Sequence, residues 1–118
     1  MSGASSRRKG YVAEAKVVRW LRDHGWPYCE RRPAGASGTD ILGCLPFVIE
    51  VKDRANVTEA VRLGLEQAVA ECAHPDLPVA IVKRRGHTNP ADWYAVMRVE
   101  DWNRLARHWD MCTCGAAT

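Results

Sequence analysis

The sequence predicts one α/β domain in which helices flank a central mixed sheet of five strands. Three observations support this fold class. In residues 47–52 one strand face, Phe47, Ile49 and Val51, is fully apolar, while the other carries Val48, Glu50 and Lys52, as in a strand with one face in the core. Residues 77–83 form a second apolar run of strand length. Apolar residues at helical spacing occupy residues 5–24 and 56–72, so the order is helix, three strands, helix, two strands, helix.

Length and composition are those of an ordinary globular protein. The 118 residues, 47% hydrophobic and 26% charged, allow one buried core and leave little room for a second domain. No apolar run reaches the ~18 residues of a membrane span, and residues 1–8 lack the apolar core of a signal peptide. We therefore expect no membrane association and a cytoplasmic location. The five cysteines, an odd number, suit free thiols in a reducing compartment.

The first helix is expected to run from Ser5 or Ser6 to about His24, with Gly25 ending it. Its expected buried stripe consists of Tyr11, Ala15, Val17, Val18 and Leu21. Glu14 lies on the same stripe, where a carboxylate is costly unless it meets a cation, a metal or several donors. Two interpretations remain open: a half-exposed glutamate paired with an arginine, and an acidic ligand delivered from the helix to the sheet.

Three strands are expected next. Residues 28–32 form a short first strand, and a loop of small residues leads from it to Asp40, which opens a second apolar run. A tight turn between this run and residues 47–52 brings Asp40 back alongside Glu50. Lys52 lies two residues after Glu50 on the same strand face. Two acids and a lysine therefore converge at the rim of the sheet, which makes a candidate metal site for phosphodiester cleavage.

The second helix is expected to begin at Asn56 or Thr58 and to end near Cys72. Its expected core stripe consists of Val61, Leu65, Ala68 and Cys72. Gln67 lies about a quarter turn from that stripe. A surface role and a site role both stay open for Gln67, and the surface role is the commoner one for such a residue.

The last two strands are expected to pair as a hairpin formed by residues 77–83 and 93–99. Glu100 or Asp101 then begins a final helix. The residues of this helix that are expected to face inward are Trp102, Leu105 and Trp109.

The end of the chain is expected to lie outside the folded domain. The domain spans residues 1–109, and residues 110–118 form a flexible tail. Cys112 and Cys114 in this tail resemble half of a zinc site. The residues that would complete it are Cys72 and His74. No second well-spaced pair of ligands supports structural zinc, so the tail is not expected to carry it.

Basic residues form three compact clusters in a chain whose formal net charge is +3. These clusters are Arg7-Arg8-Lys9, Arg31-Arg32 and Lys83-Arg84-Arg85. Solvated surface charge is one interpretation of each cluster. Three such clusters, each near the end of a predicted element, favour contact with the phosphates of a nucleic acid.

The acidic residues suit metal-assisted hydrolysis of a phosphodiester. Magnesium prefers octahedral oxygen coordination, with several waters and only one or two protein carboxylates. Asp40 and Glu50 are the expected ligands, together with the carbonyl of Val51, and Glu14 would hold a water or a second ion. Lys52 would orient the attacking water and offset charge on the phosphate. A Glu-x-Lys pattern alone is weak, and the acids at positions 14 and 40 make it more specific.

Thr39-Asp40 followed by Glu50-Val51-Lys52 resembles the PD-(D/E)XK nuclease superfamily. Over residues 7 to about 107, the chain resembles more closely the archaeal-type Holliday-junction resolvases and their phage relatives. The segments that carry this resemblance are Arg8-Lys9-Gly10, Glu14, Arg31-Arg32, Ser37-Gly38-Thr39-Asp40, Ile49-Glu50-Val51-Lys52, Val82-Lys83-Arg84-Arg85-Gly86 and Trp93-Tyr94-Ala95-Val96-Met97.

The resemblance implies a restriction-endonuclease-like fold of order α-β-β-β-α-β-β-α and an endonuclease that uses Mg²⁺, with Mn²⁺ able to substitute. It implies metal ligation by Asp40 and Glu50, catalysis by Lys52 and a site role for Glu14. By position it also suggests Arg8, Arg31 and Ser37 as residues that contact DNA or position a phosphate. The basic clusters add the other DNA-contacting candidates, Arg7, Lys9, Arg32, Lys83, Arg84 and Arg85.

The sequence departs from the superfamily pattern at two places. Thr39 stands where the superfamily name has proline, which is expected to matter little because Asp40 is the ligand. Gln67 stands where some relatives carry a further site glutamine, but Glu71 occupies the place of the tyrosine that follows it there. Gln67 therefore remains a weak site candidate.

The resemblance favours a homodimeric enzyme that cleaves four-way DNA junctions in recombination and repair, in a bacterial or phage-infected host cytoplasm. A two-fold dimer would place two active sites on a two-fold-like junction. Trp93, Trp102 and Trp109 could help form the dimer, although core packing is the commoner use of tryptophan. Another small nuclease of the superfamily (restriction-type, flap or repair) and a non-catalytic DNA-binding module are the alternatives.

Overall fold

The computed structural model of the protein describes the backbone of residues 3–117 and the side chains of residues 8–112. It contains a five-stranded sheet flanked by helices, so the predicted α/β class and the mixed sheet are confirmed. The elements are α1 (Gly3–Asp23), β1 (Glu30–Arg31), β2 (Ile41–Leu42), β3 (Phe47–Lys52), α2 (Val57–Glu71), β4 (Leu77–Val82), a short 3₁₀ turn (Pro90–Asp92), β5 (Tyr94–Val96) and α3 (Val99–Ala117).

The strands lie in the order β1-β2-β3-β4-β5. Neighbours are antiparallel except β3 and β4, which run parallel and are connected by α2. A parallel pair needs such a crossover, whereas tight turns suffice for antiparallel strands. The two longest strands, β3 and β4, therefore lie at the centre of the sheet. The outer strands are shorter than predicted: residues 28–32 contain only the two-residue β1, and β5 ends at Val96, since α3 already begins at Val99.

The two faces of β3 carry different residues, as the alternating pattern predicts. Ile49 and Val51 belong to the main core, which α1 covers with Ala13, Val17 and other apolar residues. A second apolar cluster, formed by Ala60, Ala80 and Val82, lies where α2 packs on the sheet. The sheet is thus buried between a helix on each side.

The buried stripe of α1 is partly as predicted. Val17, Val18 and Leu21 are buried, and Ala13 joins them. Tyr11 was expected in the core and is instead 55% exposed. Its ring lies under the guanidinium of Arg31, at 4.1 Å from the ring centroid, so the aromatic face meets a cation rather than the core.

The helix α2 begins at a side-chain cap, where the N–H of Glu59 donates to Asn56 Oδ1 at 3.0 Å. The residues of α2 that are buried are Ala60, Gly64 and Ala68, rather than the larger residues of the predicted stripe. Val61 and Leu65 pack at the margin of the contact and are half-buried. Small residues on this face let the helix lie close to the sheet.

The prediction that α3 turns Trp102 and Trp109 inward is wrong. Trp102 and Trp109 are 57% and 72% exposed, and Asp101 is the buried residue among the side chains of this helix that the structure describes. Arg98 Nε and Arg104 Nη2 donate to the Asp101 carboxylate at 2.7 and 2.9 Å. Both pairs are local to the helix, and Arg104 also donates to the carbonyls of residues 75 and 76 at 2.8 and 3.1 Å, which holds this side of α3 against the protein. Trp93 is buried, and its indole N–H donates to the carbonyl of residue 87.

The last helix is longer than predicted. It starts at Val99 and continues to Ala117, so most of the segment expected to be a tail is helical, and its flexibility stays a prediction. Cys112 Sγ lies 3.6 Å from His108 Nε2, and the side chain of Cys114 falls outside the described residues. No helix in the described part of the chain combines the length and apolar character that crossing a membrane requires.

Candidate active site

Asp40 and Glu50 meet where the pairing of β2 and β3 ends. Ile41 pairs with Ile49, so the residue before one comes opposite the residue after the other. The N–H of Asp40 donates to Glu50 Oε2 at 2.9 Å, and the N–H of Val51 donates to Asp40 Oδ2 at 2.9 Å. Each carboxylate thus accepts a main-chain amide from the opposite side, which fixes the two acids side by side, as predicted.

Thr39 supports this arrangement from the preceding position. Its hydroxyl donates to the carbonyl of Ile49 at 2.6 Å, and its own carbonyl accepts a hydrogen bond from Arg32 Nε at 3.0 Å. Thr39 in place of proline was expected to matter little, yet its hydroxyl ties the start of β2 to β3. The sequence feature that could have indicated this role is a threonine directly before an acid at the start of a strand.

Glu50 is an acid in an unfavourable place for negative charge. Its side chain is only 5% exposed. Burial and the neighbouring Asp40 raise the pKa of Glu50 to about 8, an effect that Lys52 partly opposes. Without a bound cation, Glu50 therefore holds a proton at neutral pH.

Glu14 approaches the same acids from α1. Burial and the charge of Asp40 raise the pKa of Glu14, while Arg31 works in the opposite direction. Arg31 Nε donates to Glu14 Oε1 at 3.0 Å and stacks over the ring of Tyr11. The pairing with an arginine is confirmed, and Glu14 also lies near the acidic site, while its role as a metal ligand stays a prediction. Tyr11 is a site neighbour that the sequence placed in the core.

These residues border an open cleft of about 520 Å³. It lies between α1, the end of β3 and the start of α2, and the site residues on its walls include Lys9, Glu14, Asp40, Val51, Lys52 and Asp53. Glu50 lies behind this wall and meets it through its hydrogen bond with Asp40. Gln67 is exposed on α2 and does not line the cleft.

Lys52 reaches the cleft past a glycine of α2. A Cβ atom at Gly64 would lie 2.9 Å from the Cβ of Ala80 and 3.3 Å from Cγ of Lys52. The missing side chain leaves room for the aliphatic stem of the lysine between helix and sheet. A glycine inside a helix costs about 0.5–1 kcal/mol relative to alanine, so its presence there is a sequence signal that helix-pattern analysis missed.

The predicted DNA-contacting residues occupy different surroundings. Arg32 Nη2 lies 3.7 Å from Asp40 Oδ1, so this arginine, like Arg31, pairs with a site acid. Arg8 and Ser37 are exposed, and the side chain of Arg7 falls outside the described residues.

The third cluster lies at the end of β4. Lys83 Nζ is 3.6 Å from Asp53 Oδ2, and Lys9 Nζ approaches the other oxygen of this carboxylate at 3.8 Å. Arg84 and Arg85 are exposed, and the guanidinium of Arg84 lies 5.8 Å from the centroid of the Tyr94 ring. Lys9 and Lys83, far apart in sequence, therefore meet at one carboxylate that the sequence did not single out.

The donor set suits a hard divalent cation. In the described residues, no three histidine, cysteine or acidic side chains converge to enclose a metal ion. Magnesium needs fewer protein ligands than that, since one or two carboxylates and several waters complete its coordination. Asp40 and Glu50, two adjacent acids of which Glu50 has a pKa raised by burial and by its neighbour, offer that set. Glu14, already paired with Arg31, fits an outer position better than direct ligation.

Comparisons with the known protein families, with curated proteins and with solved structures found no match to this chain.

Proposed function

We propose that the protein is a metal-dependent endonuclease with a restriction-endonuclease-like fold, and that its substrate is a four-way DNA junction. The observation that carries this proposal is the Asp40–Glu50 pair, joined across β2 and β3. Lys52 follows on the same strand and lines the open cleft. A buried acid beside a half-buried one, next to a lysine at an accessible, partly basic surface, is costly to maintain for stability alone.

The residues have distinct roles in this proposal. Asp40 and Glu50 hold Mg²⁺ or Mn²⁺, with the Val51 carbonyl beside them. When bound, the metal supplies Lewis-acid activation of the phosphate and lowers the pKa of a bound water. Lys52 places its ammonium in the cleft, where it orients the attacking water and offsets charge that builds on the phosphate.

Glu14 and Arg31 complete the site from the side of α1. Their hydrogen bond keeps the Glu14 carboxylate near Asp40 without leaving it unpaired. Glu14 then accepts hydrogen bonds from water in the cleft, and Arg31 limits the negative charge that a DNA phosphate meets there. This pairing matters because three acids without cations repel a polyanion.

A junction substrate follows from the resemblance and from symmetry. Two copies related by a two-fold axis would present two clefts to the two-fold-like arms of a four-way junction. The same site also serves a restriction-type, flap or repair nuclease, which differs in substrate rather than in chemistry. A DNA-binding module is disfavoured by the raised pKa of Glu50, since a site built only for binding phosphate gains nothing from a buried acid.

The test is cleavage of a synthetic four-way junction beside a linear duplex, a flap and single-stranded DNA of the same sequence. Each is incubated with Mg²⁺ and with EDTA. Paired symmetric nicks in the junction alone, lost in EDTA, are expected. Metal-dependent cutting without preference for the junction would contradict the proposed substrate and support the proposed metal-dependent hydrolysis. Absence of cutting on every substrate, with DNA binding intact, would overturn the proposal in favour of a binding module.

A further inference from the structure

A second, smaller groove of about 180 Å³ adjoins the candidate active cleft. Its charged lining residues are Lys9, Asp53, Arg54, Lys83 and Arg85. Lys9, Asp53 and Arg54 also line the active cleft, so the two depressions share a wall. Four cationic side chains and one carboxylate thus line this groove, and Arg54 pairs with Glu59 at 3.1 Å rather than with Asp53.

Asp53 lies between two lysines that come from different parts of the fold. Its oxygens are 3.8 Å from Lys9 Nζ on α1 and 3.6 Å from Lys83 Nζ after β4. Both distances exceed the usual length of an N–H···O hydrogen bond of about 2.7–3.2 Å. Each ammonium therefore retains N–H donors for a closer acceptor. The Asp53 side chain is 13% exposed, whereas both lysines are reachable from solvent.

We propose that this groove binds a phosphate of the DNA strand beyond the cleavage position, with Lys9 and Lys83 as its contacts. Asp53 acts as a built-in anion that weakens this binding. The inference rests on the proposed function and adds to it a second phosphate position and a residue that sets its strength. The shared wall favours a polymer with repeated phosphates, because only such a ligand would occupy both depressions at once.

Charge explains why a phosphate can replace Asp53 as the partner of the two lysines, and why the carboxylate still weakens the binding of that phosphate. Long ion pairs with solvent-reachable lysines contribute little net stability, so a phosphate that forms direct hydrogen bonds to both lysines competes successfully. The carboxylate stays nearby and repels the bound phosphate. DNA held in this groove alone is then bound weakly, and firm binding requires the active cleft as well.

Two pairs of variants test this inference, each pair matched in charge. Asp53→Asn removes the carboxylate, and Glu66→Gln removes one from the exposed Arg62–Glu66 pair of α2. Lys83→Ala removes a groove cation, and Arg62→Ala removes one from the same remote pair. Dissociation constants for a fluorescently labelled four-way junction are measured in EDTA over a range of salt concentrations, so that binding is read without cleavage.

Asp53→Asn is expected to bind about threefold more tightly than Glu66→Gln at low salt, with a steeper salt dependence. Lys83→Ala is expected to bind more weakly than Arg62→Ala, and its slope of log affinity against log salt should fall by about 0.9, the value of one phosphate contact. Lys9→Ala serves as a second loss variant should Lys83→Ala fold poorly by circular dichroism.

Equal affinities within both matched pairs would overturn the inference, and weaker binding by Asp53→Asn would overturn the role of its carboxylate. A wild-type protein that cuts DNA while the matched pairs behave alike would disprove the groove and leave the proposed function standing. A wild-type protein that neither binds nor cuts DNA would disprove both the phosphate-binding groove and the proposed function.

Discussion

The main-chain N–H of Asp40 donates a hydrogen bond to Glu50 Oε2 at 2.9 Å. This contact joins two acids from neighbouring strands in a largely buried place. Burial and the charge of the other acid raise the pKa of Glu50 to about 8. The sheet thus holds together two carboxyl groups that would repel each other if both were ionised, and a cation relieves that conflict.

The stability of the metal-free protein should fall as pH rises. The pKa of Glu50 is about 8 in the folded state and near its ordinary 4.5 in the unfolded chain. Between these values the folded state holds a proton that the unfolded state has released, so the free energy of unfolding decreases with pH. Melting temperatures in EDTA from about pH 6 to about pH 9 should fall more steeply for the wild type than for Glu50→Gln. Parallel slopes would contradict this assignment.

Binding of a divalent metal should release a proton. Below about pH 8 the metal displaces the proton that Glu50 holds, so its affinity should rise with pH. Calorimetric titration with Mn²⁺ in two buffers of different ionisation enthalpy measures the number of protons released. Asp40→Asn should abolish this binding while the protein stays folded. Binding without proton release, or binding retained in Asp40→Asn, would place the metal elsewhere.

Removal of the Tyr11 ring should impair the site more than the fold. The ring supports Arg31, which in turn donates to Glu14. An exposed cation–π contact contributes about 0.5–1 kcal/mol, so Tyr11→Ala should lower stability by no more than that. Its cleavage rate should fall several-fold, whereas Tyr11→Phe, which retains the ring, should match the wild type. Equal rates for Tyr11→Ala and Tyr11→Phe would show that the stacking does not position Glu14.

Alanine at position 64 should destabilise the protein, although alanine is the better helix former. The added Cβ would approach the Cβ of Ala80 to 2.9 Å, and overpacking of this kind costs about 1–3 kcal/mol. The double variant Gly64→Ala with Ala80→Gly should regain part of the loss. Gly10→Ala in α1 is the control, since nothing lies within 4 Å of a Cβ there. Urea unfolding measures all three, and a Gly64→Ala protein as stable as Gly10→Ala would refute the close packing.

The sheet and the acidic pair could be predicted because their signals are local. The alternation over residues 47–52 fixes which side chains share a face, since the strand period is two wherever the strand lies. The short turn before it limits how far Asp40 can be from Glu50. Their hydrogen bond therefore follows from a pattern that the sequence displays directly.

Helix orientation was harder to predict, because it depends on contacts between distant residues. Apolarity alone favoured an inward Trp102, but Arg104, which pairs with the buried Asp101, donates to the carbonyls of residues 75 and 76 and holds that side of α3 against the protein. On α2 the close approach to the sheet buries the small Gly64 and leaves the larger Leu65 at the margin. The role of Asp53 was invisible for the same reason, since its lysine partners lie 44 and 30 residues away in the chain.

The catalytic role of the Asp40–Glu50 pair and Lys52 is tested by single-turnover cleavage of a four-way junction in Mg²⁺. The proteins compared are the wild type, Asp40→Asn, Lys52→Ala and Arg62→Ala. Arg62→Ala removes an exposed charge far from the cleft and should cut like the wild type. We expect the cleavage rates of Asp40→Asn and Lys52→Ala, both folded by circular dichroism, to fall by at least about 100-fold. Wild-type rates in either of these two variants would contradict the assignment of the Asp40–Glu50 pair and its lysine as the catalytic site.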